Sequence, residues 1–210
     1  MTPPLDKPDY WSQATLELAV ADPVMAQLIA QYPDVSLRTR GDAFHTLARS
    51  IVGQQISVKA ADSIWNRLVA CLGEVSSAAV LATDVDALRA CGLTQRKVEY
   101  LSDLARHHVE GRLDPTAWLA WDDEAVIKEL VSIRGIGRWT AEMFLIFYLA
   151  RPNVLPLDDI GLIRGIAEHY HNGERKPRAE LKQLAQLWQP WCSVATWYLW
   201  RSLDPVPVEY

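Results

Sequence analysis

Two short runs hold the side chains whose types and spacing can do chemistry. Asp158 and Asp159 close the run Leu155-Pro156-Leu157-Asp158-Asp159 and put adjacent carboxylates at the start of a helical pattern. The free N–H groups of a first turn and the positive end of the helix dipole favour an ionised carboxylate there. Such a group can stabilise developing positive charge or take a proton from an attacking water. Upstream, Leu130-Val131-Ser132-Ile133-Arg134-Gly135-Ile136-Gly137-Arg138-Trp139-Thr140-Ala141 reads as a helix, a glycine turn and a second helix. Gly135 and Gly137 permit a tight turn and close backbone approach, Ile136 can tuck between the helices, and Arg134 and Arg138 flank the turn with positive charge. A lone Gly-X-Gly is only a turn, and a lone Asp-Asp after a proline is only a cap. Their succession points to a protein that holds a phosphate backbone and does chemistry beside it.

The elements that must position these residues read as helices almost throughout. Phe44, Leu47, Ala48, Ile51 and Val52 follow an i, i+3, i+4, i+7, i+8 pattern, with Asp42 as N-cap and an end near Gly53. Similar patterns predict helices over 57–71, 84–90, 94–110, 122–131, 138–149, 159–170, 176–188 and 191–203. Gly92 and Gly111 fall just past helix ends, and Asp114-Pro115 and Gln189-Pro190 open new segments. The helix from Arg138 is apolar almost all round, as a centrally buried helix must be. No strand alternation stands out, so the expected fold is all-α. The Arg151-Pro152-Asn153 break suggests two lobes with a cleft between them: 43–151, and 1–42 joined to 152–210.

Bulk properties exclude several classes. No apolar run is long enough to span a bilayer, and the amino terminus lacks the basic and apolar regions of a signal peptide, so the expectation is a cytoplasmic protein, nucleoid-associated in a bacterium, with no membrane partner; a monomer is expected, though the sequence itself does not reveal oligomeric state. Cys71, Cys91 and Cys192 are odd in number and widely spaced, which argues against a disulfide framework or a zinc or iron–sulfur site. The net charge of −5 counts against general nucleic-acid binding, but its distribution is uneven. Residues 74–129 hold 11 acids and 6 bases, whereas 131–182 hold 8 bases and 6 acids. A small footprint using backbone amides and a few arginines is compatible with that balance.

The run Gly135–Ala141 followed by Leu155–Asp159 resembles the helix-hairpin-helix superfamily of DNA glycosylases. Arg49-Ser50-Ile51-Val52-Gly53-Gln54-Gln55-Ile56-Ser57-Val58 and Pro190-Trp191-Cys192-Ser193 are similar to its 3-methyladenine DNA glycosylase II branch. The resemblance covers about 43–203 and implies a two-lobed helical fold acting on damaged double-stranded DNA. It implies a catalytic aspartate at the pocket mouth, and Asp159 is preferred to Asp158 because it has the apolar Leu162 three positions on, where Asp158 has Gly161. Breaking an N-glycosidic bond develops positive charge on the sugar, which an ionised Asp159 would stabilise.

Bifunctional relatives carry a lysine nucleophile at position 139; this chain has Trp139. The resemblance therefore implies a monofunctional hydrolase that leaves an abasic site, with no Schiff base and, lacking the cysteine quartet, no iron–sulfur cluster. It places Trp139 and Trp191 in the base pocket, where an aromatic face suits a cationic N-alkylated purine. It places Gln55 at the wedge that fills the gap left by the extruded base, with Gln54 the more structural of the two glutamines. Gly135, Gly137, Arg138 and Thr140 become phosphate-binding residues, and the carbonyls of Val131, Ile133 and Gly135 become candidate ligands for a monovalent cation. Met143 and Ile160 depart from the family pattern, standing where a bacterial member has tyrosines. Two other readings stay open: a non-enzymatic DNA-binding module, and a glycosylase-lyase for oxidised bases. For the latter, Lys59 and Lys97 cannot be nominated from sequence.

Overall fold

The computed structural model describes residues 7–33, 35–39 and 42–204. Every regular element among them is a helix. In the first compact unit, residues 42–144, the helices are α3 (Ala43–Gly53), α4 (Val58–Leu72), α5 (Ser77–Ala82), α6 (Val85–Ala90), α7 (Gln95–Val109), α8 (Pro115–Trp118), α9 (Asp123–Val131) and the first part of α10 (Arg138–Phe147). The second unit joins residues 7–39 to 145–204. It contains α1 (Trp11–Ala21), α2 (Pro23–Gln31), α11 (Ile160–Tyr170), α12 (Arg178–Leu184), a 3-10 turn at Ala185–Trp188 and α13 (Cys192–Leu203). The division falls inside α10, between Phe144 and Leu145, rather than at the Arg151–Asn153 break.

The first unit is built on the face that periodicity marks. Phe44, Leu47, Ala48, Ile51 and Val52 are at most 2% exposed, and α3 packs on α4 and α7. Local chemistry fixes the starts of these helices. Asp42, Ser57, Ser76, Asp84, Thr94, Asp114 and Asp122 each accept first-turn N–H groups through a side-chain oxygen, satisfying donors that have no partner within the helix.

The second unit includes two helices that the periodicity did not predict, α1 and α2. Asp22 caps α2 at the Val24 and Met25 amides, while its other oxygen accepts Tyr170 Oη at 2.6 Å and Trp188 Nε1 at 2.9 Å. One buried carboxylate thus ties α2 to α11 and to the 3-10 turn. The single helix expected over 176–188 is broken into α12 and that turn, and the one expected over 138–149 ends at Phe147. No helix among the described residues is long and apolar enough to cross a membrane.

Candidate active site

The loop leading to the aspartates is pinned to α13. Ser193 Oγ donates to the Arg151 carbonyl at 2.6 Å and accepts the Val154 amide at 2.9 Å, while the Ser193 amide donates to the Pro152 carbonyl at 3.0 Å. The chain then turns into α11, and Asp159 is its N-cap, with an extended backbone and a side chain folded back over the first turn. Oδ1 accepts the Leu162 amide at 2.6 Å and Trp200 Nε1 at 2.7 Å. Asp159 is 7% exposed. Asp158, one residue earlier, lies at the surface in an ion pair with Arg178. The two carboxylates therefore have different environments, and only Asp159 is buried and oriented. Leu162 supplies the capping amide, and its side chain is buried in the core.

Trp200, which the sequence pattern does not single out, is a partner of this carboxylate. Its indole stacks on Phe147 with ring centroids 5.7 Å apart and planes 11° from parallel. Gly161 and Gly165 on α11 let α13 come this close. A Cβ at Gly161 would lie 2.9 Å from Trp200 Cδ1, and one at Gly165 would lie 3.0 Å from Leu199 Cβ. Trp191, expected in the base pocket, stacks on Tyr10 at 5.7 Å, and its Nε1 donates to Glu17 at 2.6 Å. Trp200 brings an aromatic ring to the carboxylate. Ile160, beside Asp159, is 71% exposed, whereas Met143 is buried.

In the first unit, the hairpin joins α9 to α10. Gly135 has φ +87°, and a Cβ there would run into the Tyr100 ring, so both its conformation and its packing require glycine. Gly137 has neither reason: no protein atom lies within 4 Å of where its Cβ would be, and its φ is not left-handed. The space beside it is open at the start of α10, where N–H groups lack partners within the helix. Trp139 lies in that first turn and is half-buried.

Two of the residues expected at the phosphate, Arg138 and Thr140, have defined settings within this unit. Arg138 is already held by carboxylates, through a 2.9 Å bond from Nε to Glu142 and a two-pronged pair with Glu124. That hydrogen bonding to Glu124 pushes the guanidinium pKa up, and Arg138 in turn holds Glu124 below the usual carboxylate range. Thr140 is buried. Arg134 is likewise engaged, with its guanidinium on Glu99 and its amide on Asp103.

Gln55 is exposed in the turn after α3 and has φ +60°, a left-handed conformation rare for a residue with a side chain. Gln54, half-buried, donates through Nε2 to the Gly135 carbonyl at 2.8 Å, satisfying a backbone group as expected of the more structural glutamine. Lys97 Nζ donates to the carbonyls of Val52 at 2.7 Å and Gln54 at 2.8 Å. Among the carbonyls expected to bind a monovalent cation, that of Gly135 accepts Gln54 Nε2 and that of Ile133 accepts the Ile136 amide at 3.1 Å.

Residues 48–190 match the model of the HhH-GPD superfamily of base excision DNA repair proteins. DNA-3-methyladenine glycosylase 1 of Schizosaccharomyces pombe is 32% identical over 187 residues, spanning 85% of this chain and 80% of the relative. A DNA-3-methyladenine glycosidase crystal structure from Bacillus halodurans superposes with a TM-score of 0.84 at 36% identity, covering 91% of this chain and 89% of that one. The S. pombe 3-methyladenine DNA glycosylase Mag1, solved in complex with abasic DNA, superposes with a TM-score of 0.77 at 27% identity, covering 93% of this chain and all of the other.

Proposed function

This chain belongs to the HhH-GPD superfamily of base excision DNA repair proteins, and from that premise we propose that it is a monofunctional DNA-3-methyladenine glycosylase. It extrudes an N-alkylated purine from duplex DNA, hydrolyses the bond to deoxyribose and leaves an abasic site. The observation that carries this reading is the burial of Asp159 at the start of α11, with one oxygen fixed by the Leu162 amide and the Trp200 indole.

The chemistry follows from that carboxylate. As the bond between C1′ and the purine nitrogen breaks, its electrons leave with the base and neutralise the ring's positive charge. The sugar becomes cationic, and Asp159 stabilises it. Water then forms the new bond to C1′, and its proton passes to Asp159 or to solvent. A cationic purine is a good leaving group, so the step needs no strong general acid.

Trp139 supports hydrolysis rather than lyase chemistry because it offers no amine. Lys97, beside the Gln55 turn, has its ammonium on two backbone carbonyls. The hairpin contributes the grip through backbone amides around Gly137, and Gln55 fills the gap in the stack.

The test is incubation with duplex DNA carrying 7-methylguanine or 3-methyladenine, with and without later alkali. Base release with strand breaks only after alkali is expected. Direct breaks with a borohydride-trapped adduct would establish a lyase instead, and binding without release a non-enzymatic module. Asp159→Asn keeps a competent N-cap, so it should abolish release while sparing the fold and binding to an abasic-analogue duplex. Undiminished turnover would remove Asp159 from the scheme.

A further inference from the structure

The turn bearing Gln55 and the hairpin bearing Gly137 are far apart in sequence, yet they share a brace. On α7, Lys97, Tyr100 and Asp103 recur every third residue and so lie on one side of the helix. Lys97 holds the end of α3 through the Val52 and Gln54 carbonyls, Tyr100 fills the space that the missing Gly135 side chain leaves, and Asp103 accepts the Arg134 amide at 2.9 Å. Desolvation works against the charge on Asp103, but the Arg134 amide and Arg106 outweigh it and hold the carboxyl below its usual range. Burial holds the Lys97 ammonium below the ordinary lysine range, so its position is maintained against a desolvation cost. The Gln54 amide closes the arrangement by joining the turn directly to the Gly135 carbonyl.

Nothing in this arrangement touches the sugar or the base that the proposed reaction would act on. Its effect is geometric. It keeps Gln55 in a left-handed backbone conformation and at a fixed distance from the hairpin turn. A phosphate seated at Gly137 would therefore set which base step faces Gln55.

We infer that Lys97 and Gln54 are positioning residues which lock the Gln55 turn to the hairpin, so that gripping the backbone places the wedge in register with the nucleotide to be extruded. This rests on the glycosylase reading for the role of Gln55. It assigns to α7 the task of carrying the register between grip and wedge. Misplacement by about an ångström lowers a positioned step by about 100-fold even when the substituted residue is remote from the chemistry.

The experiment follows 2-aminopurine fluorescence beside a tetrahydrofuran abasic analogue in a duplex, a signal that responds to insertion of a side chain into the stack and needs no bond cleavage. The wild-type protein should change the signal on binding, and Gln55→Gly should not. Gln54→Met and Lys97→Met should slow insertion by about 100-fold with melting temperatures close to wild type, and Lys97→Arg should restore most of the rate. In the Gln55→Gly background neither Met substitution should change the residual signal further, because both act through the wedge. Wild-type insertion by Gln54→Met and Lys97→Met, or equal losses with and without Gln55, would overturn the inference. If the wild type inserts but releases no methylated purine, the proposed reaction fails and the register lock stands; if it releases base and both Met variants insert normally, the reverse holds.

Discussion

Trp200 Nε1 and the Leu162 amide converge on one oxygen of Asp159, at 2.7 and 2.6 Å, so the carboxylate is oriented by a donor from α13 as well as by its own helix. Trp200→Phe would retain a ring to stack on Phe147 and remove only the indole donor. A hydrogen bond to a charged group contributes about 1.5–3 kcal/mol. At about 1.4 kcal/mol per tenfold in rate, single-turnover base release should fall roughly 10- to 100-fold. Melting temperature should fall by several degrees, while binding to an abasic-analogue duplex should change little. A wild-type rate would mean that the indole contributes packing alone.

Gly161 offers a sharper test of the same geometry. Glycine to alanine inside a helix ordinarily raises stability by about 1 kcal/mol. Here the new methyl would lie 2.9 Å from Trp200 Cδ1 and 3.1 Å from Asp159 Oδ1. Gly161→Ala should therefore lower both melting temperature and base release by displacing the indole from the carboxylate. A more stable, fully active variant would show that the contact is not required.

What the sequence could reveal was decided by distance along the chain. The α3 face and the glycine hairpin depend on neighbours within a turn or two, and each is visible as spacing, whereas the preference for Asp159 over Asp158 comes from the family resemblance. Trp200 was hidden among Trp188, Trp191 and Trp197, since only the small residues on α11 decide which indole reaches Asp159. The pairing of Arg138 was hidden because Glu124, its strongest partner, belongs to the other helix of the hairpin. The α1–α2 segment has a legible start signal in Asp22-Pro23, but its core face is completed by α13, and local periodicity is correspondingly weak.

The two hairpin glycines should separate folding from DNA binding. Gly135→Ala forces a side chain into φ +87° and into the Tyr100 ring, and should cost about 1–3 kcal/mol of stability. Gly137→Ala meets no protein atom, so its melting temperature should stay near wild type. Its affinity for abasic-analogue DNA should drop about tenfold, equivalent to about 1.4 kcal/mol, because the methyl occupies the space through which a phosphate would approach the amides. Unchanged affinity would indicate that the backbone is gripped elsewhere.

Arg138 should behave as a structural ion-pair residue rather than as a counter-charge for DNA. A lysine or arginine that neutralises a phosphate adds about 0.9 to the slope of log affinity against log salt. Because Arg138 is held by Glu124 and Glu142, Arg138→Met should leave that slope nearly unchanged in titrations from low to moderate salt. Stability should fall by about 1 kcal/mol, within the solvent-screened range, since the Arg138 side chain is 45% exposed while that of Glu142 is only 4% exposed. A slope reduced by about one, with melting unaffected, would instead mean that Arg138 leaves both carboxylates and pairs with a phosphate when DNA binds.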